Sequence, residues 1–277
     1  MFNPFKRREK EHPVADTKIQ LTQNHDLKDF KNVMVVTCAG AGTNEWIKRN
    51  LCLGKSNFIL TSEDNNQFDA AFEVLKELGY TIHHVSVSLN DAFKPVNMDL
   101  VKTYATDVAT KEKYGLVFEA DPGVVQRTNA VTQYIYKIIE PILMGKPLTQ
   151  DTKPDLPHVE VYLTEEMAIQ IPNICDYAYV TKKYQVSFIF IYNHVQNNAL
   201  SCQTFQSLCD SSVILFMGCR DKLLLFYLYD LFGQKLASVL KKNESLLTFP
   251  VNDAIIFDMG TNIYRDQKFS QSDIQKM

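Results

Sequence analysis

Residues 33–46 read VMVVTCAGAGTNEW: an apolar β-branched run, a loop of small residues, and then a polar residue and a tryptophan at a helix start. Strand, small-residue loop and helix start is the context that a phosphate-binding P-loop requires. The residues depart from that pattern. Against G-x-x-x-x-G-K-[ST], Gly42 takes the second glycine, while Thr37, Thr43 and Asn44 stand at the first glycine, the lysine and the Ser/Thr. Ala39, Gly40, Ala41 and Gly42 are small enough to let an anion approach the backbone N–H groups at a helix N-terminus. Without the lysine nothing neutralises the β- and γ-phosphates, and Asn44 offers an amide where a hydroxyl would ligate Mg²⁺. Read alone, a Gly/Ala turn also serves simply to pack a strand tightly against a helix. The Gly54-Lys55-Ser56 tripeptide is a decoy, because Arg49 stands at its leading-glycine position and a strand is expected to follow.

Similar apolar runs recur along the chain: NFILT (57–61), IHHVSVS (82–88), VEVYLT (159–164), SFIFIY (187–192), SVILFM (212–217) and AIIFD (254–258). Nearly unbroken apolar runs are expected of strands buried on both faces. Between them, residues 68–80 place Phe68, Ala71, Phe72, Leu75 and Leu78 at helical spacing before Gly79. Residues 124–145 read as a second helix, ended or kinked near Pro141, and 222–240 as one or two more. Strands alternating with helices imply right-handed βαβ units and a mainly parallel sheet in a three-layer α/β domain. Ligands then bind at the carboxyl ends of the strands. The expected organisation is an N-terminal arm (1–30) with one short strand near Lys18–Thr22, a domain over 31–265, and a tail over 266–277. The Pro-rich stretch 146–157 is the one internal linker.

Composition narrows the function class. The 277 residues are 45% hydrophobic and 22% charged, with 10 Gly and 10 Pro, which excludes collagen-like and disordered classes. A net charge of -3 provides no global field for nucleic acid, so any such contact is local, at Lys6-Arg7-Arg8 or Lys182-Lys183. The six cysteines form no C-x-x-C and support neither a disulfide framework nor a zinc site; no metal ligand set is expected. No apolar stretch reaches the ~18–20 residues of a membrane span. His83 and His84 alternate across a strand and cannot share a metal, and His194 has no Ser or Cys partner in the sequence. Tyr227, Tyr229 and Phe232, with Leu223 and Leu231, suit a buried helix face or a subunit contact.

Several segments in order, from about Ile19 to about Asp273, resemble the cytoplasmic motor domain of TraG/TraD-type coupling proteins of conjugative type IV secretion. KIQLTQNHDLKDFKNVMVV resembles the stretch leading into that family's P-loop strand. FILTSEDNNQFDAAFEVLKELGYTIHHVSV resembles its second strand, helix and third strand, and FEADPGVVQRTNAVTQYIYKII the helix entering its all-alpha insertion. VEVYLTEEMA is similar to its Walker B strand, and IPNICDYAYVTKKYQVSFIFIYNHVQNNAL to the following helix and sensor strand. CDSSVILFMGCRDKLLLFYLYDLFGQKLA resembles the next strand-helix pair and SLLTFPVNDAIIFDMGTNIYRDQKF the closing segment. The resemblance implies a RecA-like P-loop fold with the all-alpha insertion reduced to 124–157, and it makes Glu165-Glu166 the degenerate Walker B pair. It places Tyr192 at the sensor glutamine and turns the family's T-D-P-K-G-E into TSEDNN.

What the resemblance implies for function is a coupling-protein-like subunit of a conjugative transfer complex, cytoplasmic or peripheral to a membrane complex and without an anchor of its own. Because the departures fall on the catalytic positions, the expectation is an accessory or regulatory subunit that does not hydrolyse ATP. No cofactor is required, and ATP with Mg²⁺ binds weakly at best, at Ala39–Asn44. The other reading is an active ATP-driven DNA translocase with an atypical loop. Expected partners are other subunits of the complex, an intact coupling protein among them, with DNA contact minor.

Overall fold

The structure is a computed structural model that describes residues 19–23, 26–27, 32–62, 66–87, 94–119, 125–144, 157–195, 199–258 and 262–268. Residues 1–18 of the expected arm and, but for Pro157, the Pro-rich linker lie outside these residues, while the strand expected near Lys18–Thr22 falls at Ile19–Gln20. Along the chain run β1 (Ile19–Gln20), β2 (Asp26–Leu27), β3 (Asn32–Val36), α1 (Thr43–Cys52), β4 (Asn57–Ser62), α2 (Asp69–Glu77), β5 (Thr81–Ser86), α3 (Met98–Thr110), β6 (Tyr114–Glu119) and α4 (Val125–Met144). They are followed by β7 (Val159–Thr164), α5 (Glu165–Gln170), α6 (Ile174–Tyr184), β8 (Val186–Tyr192), α7 (Ala199–Ser211), β9 (Ser212–Phe216), α8 (Lys222–Leu236), β10 (Asp253–Asp258) and β11 (Asn262–Gln267).

Nine strands form one sheet in the order β11-β10-β9-β3-β8-β7-β4-β6-β5, and β1 and β2 pair separately. The seven strands from β9 to β5 are parallel, while at one edge β10 runs antiparallel to β9 and β11 antiparallel to β10. Alternation assigns the two faces. Val33 and Val35 of β3 join Trp46, Ile47 and Leu51 of α1 and Phe72 and Leu75 of α2 on one side. Met34 and Val36 meet α3 to α8 on the other. The chain steps from β3 towards the β5 edge with α1 and α2 on the first face, then returns towards β9 with its helices on the second. Reversing both direction and face keeps every crossover of one hand, as twisted strands require. This is the mainly parallel three-layer α/β fold expected from the sequence.

Several elements differ from the sequence reading. β6 and α3 carry no run that stood out, and β11 extends the sheet past the expected domain boundary at residue 265. Helix α4 runs through Pro141 to Met144, close to the span expected from the sequence, and it packs Val131, Ile135, Ile138, Ile139 and Leu143 into the core. It therefore belongs to a layer of the domain. In α8, Leu224, Leu225, Leu228 and Phe232 are buried, whereas Phe226, Tyr229 and Leu231 face outwards, so the aromatic segment is split between core and surface. Glu160, unremarked in the sequence, is buried on β7 and accepts a 2.7 Å hydrogen bond from the Tyr162 hydroxyl. Burial raises its carboxyl pKa, with that hydrogen bond opposing.

Candidate functional site

Helix α1 is placed by the short β1-β2 pair. Trp46, 1% exposed, donates its indole N–H to the Leu21 carbonyl at 3.1 Å. Asn50 donates to the Gln20 carbonyl at 3.0 Å and accepts from its N–H at 2.8 Å. With the helix fixed, the loop between β3 and α1 has to turn within a few residues. It does so through an Ala41 N–H to Cys38 carbonyl bond of 3.0 Å and two left-handed residues, Gly40 at φ +78° and Gly42 at φ +88°. A side chain at either position would be strained. At Gly40 a Cβ would meet nothing within 4 Å, so the loop backbone is open to what lies in front of it.

A cleft of about 570 Å³ lies in front of the loop. Residues 37–45 form one wall, and the ends of β4, β7 and β8 with the start of α5 form the other. The connections leaving β3 and β4 go to one face of the sheet and those leaving β7 and β8 to the other. The cleft therefore lies where the topology switches, the usual ligand position in such sheets. The loop and glutamate candidates from the sequence line it: Ala39, Gly40, Ala41, Gly42, Thr43, Asn44, Glu165 and Glu166. Segments more than a hundred residues apart in the chain are thus brought together.

The charges in this cleft are unusual for a nucleotide site. Thr43, at the lysine position, turns its hydroxyl onto that of Thr37. Glu45 is three residues into α1 and places a carboxylate oxygen 4.0 Å from where a Gly42 Cβ would stand. An anionic side chain from the protein itself thus lies at the positive end of α1. Glu165 opens α5, is 2% exposed, and lies 3.3 Å from His194 Nε2, whose Nδ1 hydrogen-bonds the Asn193 amide oxygen. Glu166 is exposed at the rim. The described residues lining the cleft include three glutamates and one histidine and no Lys or Arg.

A triphosphate with Mg²⁺ therefore fits in one respect only. The backbone at Gly40 leaves open space in front of the loop, but the described side chains that line the cleft include no Lys or Arg to set against a triphosphate's charge. Among the described residues no group of three or more His, Cys, Asp or Glu could hold a metal ion.

Other residues fall differently from the sequence reading. Tyr192, at the sensor position, is fully buried, packs against Phe205 of α7 and does not line the cleft; Asn193 and His194, the next two residues, do. Burial and the nearby Glu165 push its phenol far above the ordinary range. His194 has a carboxylate for a partner where a Ser or Cys was sought. His83 stacks on Tyr114 and His84 meets Phe72 edge-on, so the two rings lie on opposite faces of edge strand β5. Of the TSEDNN turn, Glu63, Asp64 and Asn65 lie outside the described residues, as do Lys6-Arg7-Arg8. None of the six cysteines is in a disulfide. No helix among the described residues is long and apolar enough to cross a membrane.

No protein-family model matches the sequence, and no curated protein matches it. Among solved structures the chain is similar to the bacterial conjugative coupling protein TrwBdeltaN70. For the unbound monoclinic form the TM-score is 0.56 at 6% identity, covering 91% of this chain and 88% of that one. For the trigonal form in complex with sulphate it is 0.49 at 8% identity, covering 85% of each. At this identity the likeness to the first form shows a shared fold.

Proposed function

We propose that the chain is a coupling-protein-type subunit of a conjugative type IV secretion complex, of the TraG/TraD kind, that keeps the nucleotide fold without hydrolysing ATP and works through protein contacts. The observation that carries this reading is the cleft. The small-residue loop between β3 and α1 and the glutamate pair that follows β7 meet there, with Thr43 and Glu45 on the loop side and no Lys or Arg among the described lining residues. The fold shared with a conjugative coupling protein supports the family, and the ordered segment matches in the sequence support it independently. The charge of the cleft favours the non-hydrolysing reading over an active translocase. Phosphoryl transfer is catalysed almost wholly by positioning and by cations on the equatorial oxygens. In this reading the chain acts in the cytoplasm, at the periphery of a membrane transfer complex.

The partner is a second copy or an intact coupling protein. Light scattering on the purified chain, combined with tagged capture from cells carrying a conjugative element and identification of what is retained, tests this. The expected result is an oligomer or co-purification of the element's coupling protein. A strictly monomeric chain that retains no transfer component would contradict it.

A further inference from the structure

Against the loop, but not among the residues lining the cleft, lies an ammonium that the sequence reading did not connect with the site. Lys268 follows β11, and its Nζ donates to the Ala41 carbonyl at 3.1 Å and also to the Met217 carbonyl. It reaches there through a small cavity shared with Gly42, Trp46, Met217 and Ala254. Its backbone is pinned as well: the Lys268 N–H donates to the Asn252 carbonyl at 2.8 Å, and Gln23 Nε2 donates to the Lys268 carbonyl at 3.1 Å. The supporting hairpin is held by Arg265, which pairs with Glu244 at 2.6 Å and bonds Asp253 through Nε at 2.8 Å.

We propose that Lys268 is the positioning cation of the loop, holding the Ala41–Gly42 peptide so that its N–H faces the cleft and lending positive potential to an anion bound there. In a trans peptide C=O and N–H point in opposite directions. Anchoring the Ala41 carbonyl on Lys268, which does not line the cleft, therefore turns the Gly42 N–H away from that ammonium. Left-handed Gly42 keeps little intrinsic preference for that orientation, because glycine populates both signs of φ about equally. The Met217 carbonyl ties the same ammonium to the end of β9, which bonds β3 through Met217 N–H to Val36 carbonyl at 2.8 Å. Loop, β9 and the closing hairpin thus share one charge. Burial lowers the Lys268 pKa to about 8, with Cys38 and Asp253 opposing, which leaves it cationic at neutral pH.

The positioning half of this proposal stands on the loop geometry; the affinity half rests on the loop being an anion cradle. Backbone ¹⁵N relaxation and calorimetric titration with inorganic triphosphate, on the whole chain as wild type, Lys268→Met and Lys268→Arg, test both. The expected result for Lys268→Met is an order parameter at Gly42 falling from about 0.85 to below about 0.6 while Ile47 in α1 stays rigid. Triphosphate affinity is expected to fall about tenfold. Lys268→Arg is expected to recover most of both effects, which a loss of packing alone would not explain. If Lys268→Met does not fold, Lys268→Gln is read in the same way. A Gly42 order parameter unchanged in the neutral variant overturns the proposal. Loosening of Gly42 in a protein whose wild type binds no triphosphate upholds the positioning role and overturns the cradle.

Discussion

Glu45 shows at the scale of one residue how the cleft can keep its shape and lose its charge. A carboxylate in the first turn stabilises a helix by roughly 0.3–1 kcal/mol. Here the same carboxylate lies beside Gly42 at the mouth of the loop, close enough to repel an anion brought to the helix N-terminus. Glu45→Gln is therefore expected to raise the affinity for inorganic triphosphate about three- to tenfold and to lower the unfolding free energy by about 0.5 kcal/mol. Titration calorimetry and urea denaturation read the two effects, and an unchanged or weakened affinity would show that the carboxylate does not compete. The loop was legible in the sequence because glycine and alanine spacing is local, and the replacements Thr43 and Asn44 could be read position by position. Lys268 and the Glu165–His194 pair were not. Each joins the site through a fold-level contact, and a lysine near a chain end or a histidine without a nucleophile carries no signal of its own.

At the scale of elements, the strands that could be read are those buried on both faces, where every residue of VMVV or VYL is apolar. β6 escaped because its second residue is Gly115, normally a strand breaker. The structure gives the reason for it: a Cβ there would lie 2.3 Å from the Phe58 ring on β4, so the glycine is required by close approach. α3 was passed over although its buried residues Val101, Ala105 and Val108 keep helical spacing, a signal the sequence did carry. The polar residues that open strands were silent. Asn32 begins β3, is 1% exposed, donates to the Ala178 carbonyl at 2.7 Å and accepts from the Phe188 N–H at 2.9 Å. It thereby joins three elements beneath the site-bearing strand. Asn32→Ala leaves those buried groups without partners and is expected to cost about 2–4 kcal/mol. Urea unfolding checks this, and a loss under 1 kcal/mol would show that the bonds are replaced.

For the whole molecule, the sheet order places the P-loop-like loop and the glutamate pair at one cleft however far apart they lie in the chain. The fold class was readable from strand-helix alternation and the rule of one-handed crossovers, whereas the pairing of the loop with Glu165-Glu166 was what the family resemblance implied. The electrostatic balance of the cleft was not legible, because it depends on which side chains of distant segments face it. The central proposal is a chain that shares the fold of a conjugative coupling protein and does not hydrolyse ATP. Removing the charge clamp from a phosphoryl-transfer site costs roughly 10² to 10⁴ in rate. The most direct test is steady-state ATP turnover by the purified chain with Mg²⁺, with and without single-stranded DNA, beside Glu166→Gln as a control for contaminating activity. The account expects no DNA-stimulated turnover above the level of that control. DNA-stimulated turnover that disappears in Glu166→Gln would contradict it.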